Sequence, residues 1–107
     1  MLKSLKNITY DKLLYWYNAN MNQSNFFNKL KALQDGAYYV KYKDKKYLLN
    51  KETLLNNKLI KIYANELGGN DIVSGNYYTT IKDGLLKPCE MSEAKVIDFI
   101  LNLEVLK

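Results

Sequence analysis

Arginine and histidine are both missing from this chain, and cysteine and proline occur once each, as Cys89 and Pro88. Without histidine, the commonest general base and metal ligand is gone. Ser-His-Asp and Cys-His catalytic arrangements cannot be assembled from these side chains alone. One cysteine and no histidine also exclude the usual zinc ligand sets. A lone cysteine forms no internal disulfide, which agrees with a reducing, cytoplasmic setting. With a single proline and no Pro/Ser-rich stretch, nothing marks a domain boundary, and the 107 residues are expected to form one domain, 1–107. No apolar run approaches the ~18 residues needed to span a bilayer. The first residues lack the apolar core and small-residue cleavage site of a signal peptide, so neither membrane insertion nor secretion is expected.

What is abundant is lysine, asparagine and tyrosine. All sixteen basic residues are lysines, there are ten tyrosines, and the formal charge is +5. Lys, Asn, Tyr and Ile share AT-rich codons, which points to an AT-rich genome such as a low-GC bacterium, a phage or a plasmid. Charge is unevenly distributed. Residues 1–40 carry +3, residues 41–61 carry +5, and residues 62–107 carry −3. A basic middle followed by an acidic end marks a candidate anion-facing surface, although ordinary solvated charge has the same look.

Hydrophobic periodicity supplies the elements. Tyr10, Leu13, Leu14 and Tyr17 follow helical spacing over residues 10–19, with Thr9 as the N-cap and Trp16 at the edge of the stripe. Ser24 is expected to cap a second helix carrying Phe26, Phe27, Leu30 and Leu33, which ends at Asp35-Gly36. The period then changes to two. Tyr38, Val40 and Tyr42 alternate with Tyr39, Lys41 and Lys43, a turn follows at Asp44-Lys45, and residues 46–49 return as a hairpin strand. Residues 50–57 suggest a helical turn. Residues 58–66 predict a third strand with Ile60, Ile62 and Ala64 inward, and residues 76–82 a fourth. Ser92 caps a final helix in which Val96, Ile97, Ile100, Leu101 and Leu103 form the apolar stripe. The expected fold is therefore α+β, a two-layer domain. It has a mainly antiparallel sheet of about four strands, two N-terminal helices and one C-terminal helix.

The remaining chemistry-bearing residues have plain structural explanations. Cys89, three residues before the Ser92 cap, would be nucleophilic only if that helix start lowered its pKa; an inert, partly buried thiol is expected. Glu90 and Glu93 suit a helix N-terminus without catalysis. Glu66 and Asp71 bracket Gly68-Gly69 in a spacing that matches no EF-hand, and read as solvated loop acids. No GxxxxGK[ST] string is present for phosphate binding. No catalytic residue, metal site or cofactor is expected.

Residues 38–61 carry the positive signal, because tyrosines and lysines interleave there. The partner-binding candidates are Tyr39, Lys41, Lys43, Lys45, Lys46, Tyr47 and Lys58. The expectation is a non-enzymatic protein docking onto a larger host protein or nucleoprotein complex. A phage or mobile-element inhibitor of a host defence machine such as a nuclease fits that description. Direct RNA or DNA binding through the same segment is the alternative, with tyrosines stacking bases and lysines neutralising phosphates. Sequestration of a small ligand among tyrosines is a third reading.

Overall fold

The computed structural model describes residues 24–81 and 84–107. Residues 24–32 are helical (α1), followed by strands β1 (Gly36–Tyr42), β2 (Lys45–Leu54), β3 (Leu59–Glu66), β4 (Ile72–Tyr78) and β5 (Leu85–Pro88). Helix α2 (Glu93–Asn102) and the short strand β6 (Glu104–Val105) complete the order. The architecture is α+β, as the periodicity implied, but the sheet has six strands rather than about four, in the order β5-β4-β3-β2-β1-β6. Every neighbouring pair is antiparallel. Strands β1 to β5 therefore form a meander, and α2 carries the chain from the β5 edge back across to β1, where β6 docks. The expected helix over residues 10–19 lies outside the described residues.

One face of the sheet is the core. Alternation turns Val40, Tyr42, Tyr47, Leu49, Ile60, Ile62, Ala64, Val73 and Tyr77 inward, where they meet Phe26 and Leu30 of α1 and Val96, Phe99 and Ile100 of α2. Aromatic contacts, edge-on and stacked, lock the layers together. Phe26 and Phe27 pack on Tyr77 with ring centroids 5.7 and 5.4 Å away, and Phe99 packs on Tyr42 and Tyr47 at 5.0 and 5.2 Å. Phe99 is fully buried at the centre of the α2 stripe, while Ile97 and Leu101 are only partly buried at its margins. Ser92 caps α2, its hydroxyl accepting from the Lys95 N–H at 3.2 Å. Ser24 is already helical and is not the cap.

The helix C-termini are held by lysines reaching over from other elements. Lys29 of α1 donates to the carbonyls of Leu101 and Leu103 at 3.0 and 2.8 Å, where α2 ends. Lys51 of β2 occupies an inward position, 2% exposed, and donates to the carbonyls of Lys31 and Leu33, where α1 ends. Its ammonium also lies 3.5 Å from the Asp35 carboxylate. A cation at these orphan carbonyls satisfies their hydrogen-bonding demand and opposes the negative end of the helix dipole. Burial pushes the Lys29 pKa down.

Several boundaries differ from the sequence reading. The β1–β2 turn is Lys43-Asp44, one residue earlier than expected, and both residues take the left-handed φ (+50° and +62°) that a two-residue hairpin needs. Residues 50–54 continue β2 instead of forming a helical turn. The chain then reverses through Leu55, Asn56 and Asn57, all with φ between +54° and +70°. Strand β4 starts at Ile72 rather than residue 76, and β5 and β6 were not anticipated.

Candidate interaction surface

No described helix packs on the second face of the sheet. Pairing register sorts its residues into rows across the strands. Tyr39, Leu48, Asn65 and Ile72 form one row, and Ala37, Asn50, Tyr63 and Ser74 the next. Glu52, Lys61, Asn76 and Lys87 form a third, and Leu54, Leu59, Tyr78 and Leu85 the last. Tyr39 is 47% exposed, Tyr63 50% and Ile72 41%, so large apolar side chains stand in solvent on one continuous surface. Between the two apolar ends runs a polar waist. A shallow groove of about 440 Å³ there is lined in part by Asn50, Glu52, Lys61, Tyr63, Asn76 and Cys89. Cys89 is exposed, not partly buried as expected, because its backbone extends the β4–β5 ladder by one bond: its N–H donates to Ser74 O at 3.1 Å. Ser74 itself is buried on this side, its N–H donating to Met91 Sδ at 3.4 Å.

The sequence-derived candidates divide among three places. Tyr39, Lys41 and Lys46 lie on this outer face. Lys41 and Lys46 are direct cross-strand partners, and the Lys46 ammonium sits 4.7 Å from the centroid of the Tyr39 ring. Lys43 and Lys45 belong to the hairpin tip beside α2. Lys58 lies in the β2–β3 loop, at the far end of the ten-residue strand β2 and about 30 Å from Lys46 by strand rise. Tyr47 leaves the candidate surface altogether. It is inward and 1% exposed, and its ring packs against Phe99. Tyr63, Ile72, Lys61 and Lys87 were missed. Tyr63 was findable, because the inward phase of Ile60, Ile62 and Ala64 puts residue 63 outside.

The hairpin tip holds a compact polar network. The Tyr42 hydroxyl donates to Asp98, and the Tyr47 hydroxyl donates to Asp71 at 2.6 Å. Lys95 of α2 also donates to Asp71, and Lys43 lies 3.7 Å from Asp98. Asp71 is thus a partly buried, ion-paired acid rather than a solvated loop acid. Glu66 accepts from the Asp71 N–H at 3.3 Å and closes the β3–β4 loop. Hydrogen bonds from Lys95 and Tyr47 hold the Asp71 pKa below the usual carboxylate value. Burial first, and then the Asp98 hydrogen bond, push the Tyr42 phenol up to about 12. Burial and Asp71 raise the Tyr47 phenol in the same way. Both tyrosines therefore stay neutral hydrogen-bond donors, a state suited to holding the hairpin on α2 and unsuited to proton abstraction. Among the described residues, no three His, Cys, Asp or Glu side chains converge on a common point that could hold a metal ion.

A second hollow, of about 450 Å³, lies where Phe27, Leu33, Asp35, Lys51, Thr53 and Ile60 meet. Its polar groups are engaged with one another. Thr53 donates to Asp35 from both its N–H (3.2 Å) and its hydroxyl (2.8 Å), and Lys51 spends its protons on helix carbonyls and Asp35. No helix among the described residues is long and apolar enough to cross a membrane. Comparison with known protein families, with curated proteins and with solved structures finds no match to this chain.

Proposed function

We propose that this protein is a non-enzymatic binding protein that docks onto a larger macromolecule through the outer face of its sheet. The observation that carries the reading is that, among the described residues, helices pack on one side of the sheet only. The described helices cover the inner face, while Tyr39, Tyr63 and Ile72 stand exposed together on the other. Leaving such side chains in water forgoes their burial, worth about 1.5–3 kcal/mol each for large apolar groups, and a partner recovers it. Tyrosine suits the task because it offers a rigid, amphipathic area at small entropic cost. The hairpin-tip network is a structural tie and the Lys51 hollow is internally satisfied, so neither competes as a docking site. An AT-rich phage or mobile element whose product blocks a host machine such as a defence nuclease is the setting we favour, on composition alone.

Site-specific photo-crosslinking tests this. A benzoylphenylalanine replacing Tyr63, expressed in the native host, should yield a discrete adduct, while the same probe replacing Glu93 on α2 should not. Adducts formed equally from both positions, or from neither, would refute the assignment of the face. Protease or nuclease sensitivity of the adduct then reports the class of partner.

A further inference from the structure

Resting on that reading of the outer face, we infer that its partner is a single-stranded nucleic acid laid diagonally across the sheet from β1 to β5. The rows place Lys46 beside Tyr39 on β1–β2, Tyr63 one row on and two strands across, and Lys61 and Lys87 one row beyond. The steps from Tyr39 to Tyr63 and from Tyr63 to Lys87 each move two strands sideways and two residues along. With strand spacings of about 4.8 Å and a rise of about 3.4 Å per residue, Tyr39 and Tyr63 lie roughly 12 Å apart. The whole track from Tyr39 to Lys87 is then roughly 24 Å, the span of a short oligonucleotide.

Three features of this track favour nucleic acid over protein. Lys46, Lys61 and Lys87 have no ion pair among the described residues, although Glu52 stands directly across the ladder from Lys61 as the acid of that row. Lys41 and Lys46 stand directly opposite each other; Lys41 has Asp44 at 3.8 Å and Glu104 across the β1–β6 ladder, so Lys46 is the one left to meet an anion. Lysine is depleted at protein–protein interfaces but supplies the phosphate contacts that dominate nucleic-acid affinity. Between the lysines, the exposed rings of Tyr39 and Tyr63 are platforms on which any base can stack, with the Asn50 and Asn76 amides beside them as donors and acceptors. Among the described residues this face presents ring planes and lysines, with no helix or ribbon projecting from it to enter a duplex groove, which favours a single strand.

The test uses the purified full-length chain and fluorescently labelled twelve-nucleotide oligo-dT and oligo-U, followed by fluorescence anisotropy, with a blunt DNA duplex as the comparison. Either or both single strands should bind at ~50 mM salt, and the DNA and RNA arms show which sugar is preferred. With three phosphates neutralised, affinity should fall about twentyfold between 50 and 200 mM salt. Tyr39→Leu and Tyr63→Leu, which keep an apolar side chain and lose the ring, should each weaken binding about tenfold or more. Tyr39→Phe and Tyr63→Phe should bind like the parent, as should Lys58→Ala at the far end of β2. Circular dichroism melts confirm that each variant is folded. No binding to either strand at ~50 mM salt, unchanged binding by both Leu variants, or duplex binding as tight as single-strand binding would each overturn the inference. If the Tyr63 photo-adduct forms and is protease-sensitive but nuclease-resistant, the nucleic-acid inference falls while the docking face stands. If no outer-face adduct forms, the docking face falls too.

Discussion

Replacing Lys51 by methionine isolates what a buried lysine does in this fold. The substitution keeps most of the aliphatic stem and removes an ammonium that donates to the Lys31 and Leu33 carbonyls and pairs with Asp35. A hydrogen bond to a charged group contributes about 1.5–3 kcal/mol. Two are lost here, but relief of the ammonium's own desolvation offsets part of the sum, and the adjoining hollow lets water reach the freed carbonyls. The net cost should be about 2–3 kcal/mol. For a domain of this size, that is a fall in melting temperature of roughly 10 °C. Thermal and urea denaturation followed by far-UV circular dichroism would measure it. The Asp35 side chain is 53% exposed, so its ion pair with Lys51 is largely screened, and Asp35→Asn should cost less than about 1 kcal/mol. A Lys51→Met change in melting temperature below about 2 °C, or one matched by Asp35→Asn, would refute the view that Lys51 acts chiefly as a cap on α1.

Three further outcomes are expected. Tyr42 and Tyr47 have folded-state pKa values above the unfolded value of about 10, so their contribution is complete below pH 10 and is lost as pH rises through the folded values. Urea midpoints should therefore drop between about pH 10 and 12, and less steeply in Tyr42→Phe; equal slopes would count against the argument. Gly84 has φ +75°, and a Cβ there would lie 1.8 Å from the Tyr77 hydroxyl oxygen. Gly84→Ala should cost about 2–4 kcal/mol, from backbone strain and overpacking together, read as a shift in urea midpoint. Lys43→Asn combined with Asp44→Gly supplies the residues the β1–β2 turn prefers and removes weak surface ion pairs together with the Lys43 ammonium 5.3 Å from the Tyr42 ring centroid. It should raise the melting temperature by about 2–4 °C, and a decrease would show that Lys43 contributes more than a screened pair with Asp98.

Where alternation or helical spacing ran uninterrupted, the elements were legible. Val40 and Tyr42, the Ile60-Ile62-Ala64 triplet and the Ser92-capped helix all face as their periods require. The second half of β2 was hidden because Lys51 stands at an inward position, where a charge ends any apolar alternation. The left-handed run at Leu55–Asn57 looked helical because sequence does not reveal the sign of φ. Ser74-Gly75 disguised the start of β4, yet Gly75 is there for closeness: a Cβ would meet Lys87 O and Pro88 Cα at 3.2 Å. Strands β5 and β6 are too short to show a period and exist through their ladder partners. For the surface, charge clustering brought together Tyr39, Lys41 and Lys46, which share the outer face of the sheet. It also drew in Tyr47, which is buried, and Lys58, which is remote. Clustering along the chain ignores which way a strand residue points.

The one-sided sheet also sorts the phenols of the described residues by reactivity. Tyr42 and Tyr47 are sealed beneath α2 with their hydroxyls tied to carboxylates, whereas Tyr39 and Tyr63 are about half exposed. A nitrating reagent should therefore modify Tyr39 and Tyr63 before Tyr42 and Tyr47, and an occupant of the outer face should shield the first two while leaving Tyr42 and Tyr47 unchanged. The molecule thus carries its own footprinting reporters on the surface where occupancy matters, and peptide mass spectrometry can read them without a substitution.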